Sequence, residues 1–316
     1  MGAKSASSSA NLLEQALAQR LGAALLPGDA PFSAEGLAAA AAFLCSAASQ
    51  RDAGEAAITI ETVSGSAAER FMRIGVINDD MPFLVDSIAT TVASQGLTID
   101  RLVHPVVPVR RDGHGMLAAV VDGEAAGEKR ESMVYIETRR ADAKVRRALE
   151  TALRSTLGDV RAAVADWPKM QQAMAADADS LADGEGAALL RWFKDGMLTQ
   201  LGHVMRHRDG TQSDALGICR RGAKSLLGPI SYERAFAWFE GKGRAGRGPL
   251  VIKSNLVSNV HRRTPLDLFI VPVVEGGKLQ SLSVHAGIWT SAGLAAAPTQ
   301  VPRMRTQLGE LMTRFG

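Results

Sequence analysis

Arg73-Ile74-Gly75-Val76-Ile77-Asn78-Asp79-Asp80-Met81-Pro82-Phe83-Leu84-Val85-Asp86-Ser87-Ile88 is the stretch on which the fold turns. Ile74, Val76 and Ile77 form the short β-branched run of a buried strand. Asn78, Asp79 and Asp80 have side chains able to cap a helix by accepting its free N–H groups. Pro82 suits a first helical position, where its missing donor costs nothing. Leu84, Ile88, Val92 and Gln95 follow at helical spacing, and Gly96 suits a left-handed C-cap. The segment therefore predicts a strand, a sharp acidic turn and a helix from about Pro82 to Gln95. Such a turn can aim backbone N–H groups at a carboxylate. This marks Asn78, Asp79, Asp80, Met81, Pro82, Phe83 and Leu84 as candidate ligand-binding residues for a small anion or amino acid.

Outward from this stretch the texture is that of an α+β protein. Upstream, residues 1–56 read as a tail and two alanine-rich helices, Asn11–Leu26 and Ser33–Ala48, with Ser33 as N-cap. Ile58–Val63 and Phe71–Ile77 alternate as strands. Downstream come a β segment Leu97–Val109, a turn over Arg111–Gly115, strands Met116–Val121 and Glu131–Arg139, and a helix Ala141–Leu157 with Val145, Leu149 and Leu153 as its stripe. Val160–Val164 reads either as a last strand or as more helix. With a strand there, the order is a split βαββαβ unit, the ferredoxin-like arrangement, over residues 57–176. The polar stretch Asp177–Gly186 marks a boundary. Beyond it, 187–316 holds a helix at Ala187–Lys194 and strands at Met197–Arg206, Leu216–Arg220, Leu250–Lys253, Leu266–Val274 and Leu279–Trp289, with helices at Tyr232–Phe239 and Val301–Arg314. This is an antiparallel sheet with flanking helices.

Composition narrows the function. The 316 residues are 46% hydrophobic and 22% charged, enough for a large core. A net charge of +3 and 5% aromatic residues argue against nucleic-acid and anionic-membrane partners. No apolar run approaches the ~20 residues of a membrane span. Met1-Gly2-Ala3-Lys4-Ser5-Ala6 lacks the Ser or Thr of a myristoylation signal, and no secretory leader is convincing, so the expected compartment is cytoplasmic. Cys45 and Cys219 show no metal or redox spacing. Gly241-Lys242-Gly243-Arg244-Ala245-Gly246 matches GxGxxG but follows a helix and runs into Pro249, so it reads as a basic loop rather than a dinucleotide fingerprint. His203 and His207 lie four apart on a strand and are expected to be structural; no metal site is expected. No nucleophile elbow, phosphate loop or catalytic carboxylate pair is present in the sequence. A binding or regulatory role is the expectation, with no catalytic residue and no cofactor of its own.

One family shares these landmarks. Asn78-Asp79-Asp80-Met81-Pro82-Phe83-Leu84-Val85-Asp86-Ser87, then His104-Pro105-Val106, Val109-Arg110-Arg111, Glu131-Ser132-Met133 and Ile136-Glu137 resemble the N-terminal region of the large bacterial NAD-dependent glutamate dehydrogenases. Asp159–Trp167, Leu190-Arg191-Trp192, Leu201-Gly202, Val260-His261-Arg262 and Gly287-Ile288-Trp289-Thr290-Ser291 extend the resemblance over residues 55–316. It implies an ACT-type regulatory domain at 57–176 and a PAS-like or ACT-like second module at 187–316. It also implies a regulatory, amino-acid-sensing role in glutamate catabolism. NAD and glutamate chemistry would belong to a catalytic domain not present in this chain, which alone is expected to be inactive. The partners implied are an amino-acid effector, further copies of the chain and the catalytic part of the dehydrogenase. The alternative is a structural, oligomerising module that binds no small ligand. Two features depart from the family pattern: His203 stands where the family tends to have an aromatic, and the loop before Glu131 diverges.

Overall fold

A computed structural model describes residues 2–64, 70–121, 129–221, 225–241 and 247–315. The chain divides into two compact units, Met1–Gly158 and Asp159–Gly316.

In the first unit, helices α1 (Gly2–Ala23) and α2 (Ala34–Ala48) precede strands β1 (Ala57–Val63) and β2 (Phe71–Asp79). Ser33 caps α2 by accepting from the Gly36 N–H. After β2 come α3 (Leu84–Ser94), β3 (Ile99–Val103), β4 (Val106–Arg111), β5 (Leu117–Val120) and β6 (Lys129–Arg139). The sheet runs β1-β2-β6-β4-β5, and β3 also pairs with β6. The expected long strand Leu97–Val109 is thus broken at His104-Pro105, where proline lacks a donor for the ladder.

Period-two alternation assigns the two faces of this sheet. Met72, Ile74, Val76, Val134 and Ile136 pack against Leu84, Ile88 and Val92 of α3 and Leu149, Leu153 and Leu157 of α4 (Ala143–Ser180). Ile77, Met133, Tyr135 and Val107 face the other way, onto Leu17 and Leu21 of α1 and Phe43 and Leu44 of α2. Gly75 permits this approach, since a Cβ there would sit 3.0 Å from the Phe43 ring. Helices α1 and α2 therefore cover this face of the sheet.

The expected strand alternative at Val160–Val164 is corrected by the structure. Helix α4 passes through Leu157 and continues to Ser180. Val160, Ala163, Met170, Met174 and Ala178 are buried at helical spacing, so the apolar stripe outweighs the β-branched valines. The edge place beside β2 is taken by β1 instead.

The second unit holds the later part of α4, then α5 (Gly184–Trp192), a π turn at Phe193–Met197, β7 (Leu198–His207), β8 (Gln212–Gly217), α6 (Pro229–Glu240), β9 (Leu250–Val257), β10 (Pro265–Glu275), β11 (Lys278–Trp289), α7 (Ser291–Ala295) and α8 (Met304–Phe315). Its sheet is antiparallel in the order β8-β7-β11-β10-β9. Turns at Asp209-Gly210 and Gly276-Gly277 join the two expected pairs, while the expected strand Leu216–Arg220 gives way after Gly217 to a 3₁₀ turn, Ile218–Arg221. Asp166 on α4 accepts from the Gly217 N–H at 2.8 Å and pairs with Arg220, which holds the end of β8 to the helix. Phe193, Phe269, Leu190, Met174 and Val271 form the core between α4, α5 and the sheet.

Candidate functional site

The seven residues of the acidic turn do not act as one group. Helix α3 begins at Leu84, and its N-cap is Phe83, left-handed at φ 68° with no side-chain cap bond. Pro82 lies one residue outside the cap and is exposed. The expectation that Asn78, Asp79 or Asp80 caps this helix is therefore corrected: β2 runs on to Asp79 and carries all three away from the helix start. The Asp80 N–H, a candidate carboxylate donor, is bonded to the Arg130 carbonyl at 3.1 Å. Leu84 and Met81 face the core under α3. Asn78 is buried, and its amide donates to the Asp79 carbonyl.

Asp79 and Asp80 diverge. The Asp80 carboxylate accepts from Ser132 Oγ at 2.8 Å, and Ser132 meets His104 Nε2 at 2.9 Å. Burial pushes the His104 pKa down, opposed in part by Asp80. The Asp79 carboxylate instead accepts from Arg51 Nη2 at 2.7 Å. That contact opens onto a charge network that the sequence did not signal as a unit. Glu131, fully buried on β6, accepts from Arg51 Nε and Nη2 at 3.0 and 2.7 Å and from Arg111 Nε and Nη2 at 2.7 and 2.8 Å. Remaining guanidinium donors reach the carbonyls of Glu55, Ala48 and Gly115. Burial works against the charge of Arg51, but its bonds to Asp79 and Glu131 outweigh it and raise its pKa. Two arginines against two carboxylates in one hydrogen-bonded set is the condition under which buried charge is tolerated.

This network floors a cleft of about 690 Å³ between the residues around Arg51 and the β4–β5 turn. Its wall carries Arg110 and Lys129 beside Asp52 and Asp112. Asp112 is held low by N–H bonds from Met116 and His114, the hydrogen bonds of its own turn. Arg110 and Lys129 are exposed and have no ion-pair partner among the described residues. The cleft thus offers cations over a charge-balanced floor, which suits a ligand carrying a carboxylate. Sequence reading found Val109-Arg110-Arg111 and Glu131-Ser132 only as family landmarks. The available signal was Glu131 itself, a charge at the head of an otherwise apolar strand.

Elsewhere, Cys45 and Cys219 are free thiols, both raised by burial and Cys219 to about 12, so neither is activated. His203 and His207 do not form a pair. His207 meets Ser213, whereas His203 faces His285 across the β7–β11 ladder. Residues 242–246 of the glycine-rich loop, and residues 122–128 before Glu131, lie outside the described residues.

Comparison with known proteins agrees with the first unit's geometry. Residues 20–153 match the family model "Glutamate dehydrogenase, ACT1 domain". The chain is 28% identical over 275 residues to the NAD-specific glutamate dehydrogenase of Pseudomonas aeruginosa, covering 77% of this chain and 16% of that protein. It is 27% identical over 269 residues to that of Halomonas elongata, again 77% and 16%. The chain therefore spans about a sixth of the length of these curated relatives. Among solved structures, an RNA-binding light-oxygen-voltage receptor aligns over 94% of both chains at 12% identity, but its TM-score of 0.20 carries no argument about the fold. No helix among the described residues is long and apolar enough to cross a membrane. The chain thus resembles the N-terminal region of the NAD-specific glutamate dehydrogenases, with residues 20–153 matching the glutamate dehydrogenase ACT1 domain.

Proposed function

We propose that this chain is a regulatory, amino-acid-sensing segment of an NAD-dependent glutamate dehydrogenase, acting in glutamate catabolism in the cytoplasm. In this reading NAD binding and the chemistry on glutamate belong to parts of such an enzyme beyond the sixth that this chain matches. The first unit is a ferredoxin-like ACT fold with β1 in the edge place of the fourth strand. Support comes from the β1-β2-β6-β3 order, with α3 and α4 on one face. The second unit is a PAS-like or ACT-like regulatory module. Self-association and contact with the catalytic part transmit the signal.

The observation that carries the sensing role is the cleft over Arg51, Arg111 and Glu131. Arg110 and Lys129 hold the effector's carboxylate, and Asp52 accepts its ammonium. Asp79 positions Arg51 beneath them, which links the acidic turn to the site without placing Asn78, Met81 or Phe83 against the ligand. Isothermal titration calorimetry of the chain against the common amino acids tests this. One amino acid should bind, about tenfold more weakly after Arg110→Ala or Lys129→Ala, a loss of one charge-assisted contact. Asn78→Ala should leave that affinity unchanged. If no amino acid binds, or if binding ignores both cations, the sensing role falls.

The structural reading has one specific observation in its favour. Arg51, Arg111, Glu131, Asp79 and Asp80 are all satisfied by groups of the protein itself. A chain that assembles with its partner but binds no amino acid would establish that reading.

A further inference from the structure

We infer that Asp177, His203 and His285 form a binding site for one divalent first-row transition-metal ion, with zinc the best match to the donor set. His203 on β7 and His285 on β11 are direct register partners, and Asp177 comes from the last turn of α4. One ligand atom from each lies within 4.8 Å of the others. Two imidazoles and one carboxylate suit Zn²⁺ or Fe²⁺, whereas Mg²⁺ and Ca²⁺ require oxygen ligands.

With both imidazoles neutral and Asp177 ionised, the hydrogen bonding around this cluster is one hydrogen short, which either one added proton or a metal ion relieves. His203 Nδ1 faces the Asp214 carbonyl at 3.3 Å, and its Nε2 meets Ser283 Oγ at 2.9 Å. Ser283 Oγ donates to Asp177 Oδ2 at 2.5 Å, and His285 Nε2 meets the same oxygen at 2.6 Å. His285 Nδ1 meets Gln200 Nε2 at 2.9 Å. Each of these five contacts needs a hydrogen. Two neutral rings, one hydroxyl and one amide hydrogen supply four. With the Ser283 hydrogen on Asp177, a neutral His203 can serve Ser283 or Asp214, but not both.

A metal ion removes the conflict. It takes the Nε2 lone pair of each ring, so both Nδ1 atoms carry their hydrogen outward. His203 Nδ1–H then donates to the Asp214 carbonyl, and His285 Nδ1–H to Gln200 Oε1 once the amides of Gln200 and of Gln171, which bonds it, both turn over. This outward bond to a carbonyl or amide is the usual support of a ligating histidine. Ser283 Oγ–H remains on the carboxylate and orients it. Tetrahedral zinc at about 2.0–2.1 Å from its ligands sets them roughly 3.3 Å apart, so Asp177 must retreat from His285 by about 0.7 Å and the widest separation in the cluster must close from as much as 4.8 Å, both by side-chain torsion. Asp177 is also the most exposed of the three ligands, its side chain 15% exposed where His203 is 4% and His285 0%, and so gives the path in. Bound there, the ion ties the end of α4 to β7 and β11.

The test uses tag-free, chelator-treated full chain with zinc and with cobalt as a spectroscopic probe. One ion per chain by elemental analysis, a visible cobalt d–d band displaced by zinc, and a higher melting temperature with zinc are expected. Asp177→Asn and His203→Gln, each checked for native circular dichroism, should weaken uptake at least tenfold. Should either variant fail to fold, the band and stoichiometry of the native chain still decide. No d–d band in the native chain, or uptake unchanged in a folded variant, overturns the site.

Discussion

Replacing Glu131 with glutamine isolates the contribution of charge at the floor of the cleft. Glu131 is fully buried and accepts four N–H bonds from Arg51 and Arg111, whose side chains are 3% and 12% exposed. Glutamine preserves the shape and one acceptor, but removes the negative charge and turns an NH₂ group toward a guanidinium. Arg51 retains Asp79 and the Glu55 carbonyl, and Arg111 retains the carbonyls of Ala48 and Gly115, so neither cation is left bare. What is lost is the attraction of one buried anion for two cations. Removing one partner of a buried pair costs about 3–5 kcal/mol. With a urea slope of about 2 kcal/mol/M, the unfolding midpoint falls by roughly 1.5–2.5 M. Urea titration by far-ultraviolet circular dichroism measures the shift, and hydrogen exchange should place the lost protection in β2, β4 and β6. Asp79→Ala, at a carboxylate 33% exposed, should cost only about 1 kcal/mol. A loss below about 1 kcal/mol for Glu131→Gln would mean that water reaches the cluster, and the description of a buried charge network would be wrong.

Gly115→Ala should cost about 1–3 kcal/mol. Its φ is +78°, and an added Cβ would lie 2.5 Å from the Arg51 carbonyl, so the urea midpoint falls while that of Gly113→Ala, with open space around it, stays. Glu185 is bonded by Arg305 and by the Arg303 N–H, which hold its carboxyl at about 2. Because the folded value lies below the unfolded one, its contribution is present above about pH 4.3 and is lost as pH falls through about 2. Carboxyl nuclear magnetic resonance should find that midpoint and see it rise in Arg305→Ala; an ordinary glutamate titration in the native chain would contradict the contact.

Much of the fold was legible because it is local. Ser33 as a cap, the alternation of Ile58–Val63 and Glu131–Arg139, and the Asp209-Gly210 and Gly276-Gly277 turns follow from backbone preference and side-chain period. The strand–turn–helix order around Asn78–Leu84 was equally readable. The position of the cap was not. Whether β2 ends at Ile77 or Asp79 depends on the ladder to Ser132 and Glu131, and those two residues of strand swung the aspartates away from α3. The continuation of α4 past Leu157 was left open for a related reason: Val160 and Val164 allow a strand and Arg161-Ala162-Ala163 a helix, and local preference does not choose between them. The charge network joins Arg51, Asp79, Arg111 and Glu131, separated by up to 80 positions in the chain. The His203–His285–Asp177 cluster joins residues as much as 108 apart. Side-chain period says which face a residue occupies, but not which distant residue shares it. That choice rests on strand pairing and on the burial that makes an unpaired charge or an unprotonated contact costly.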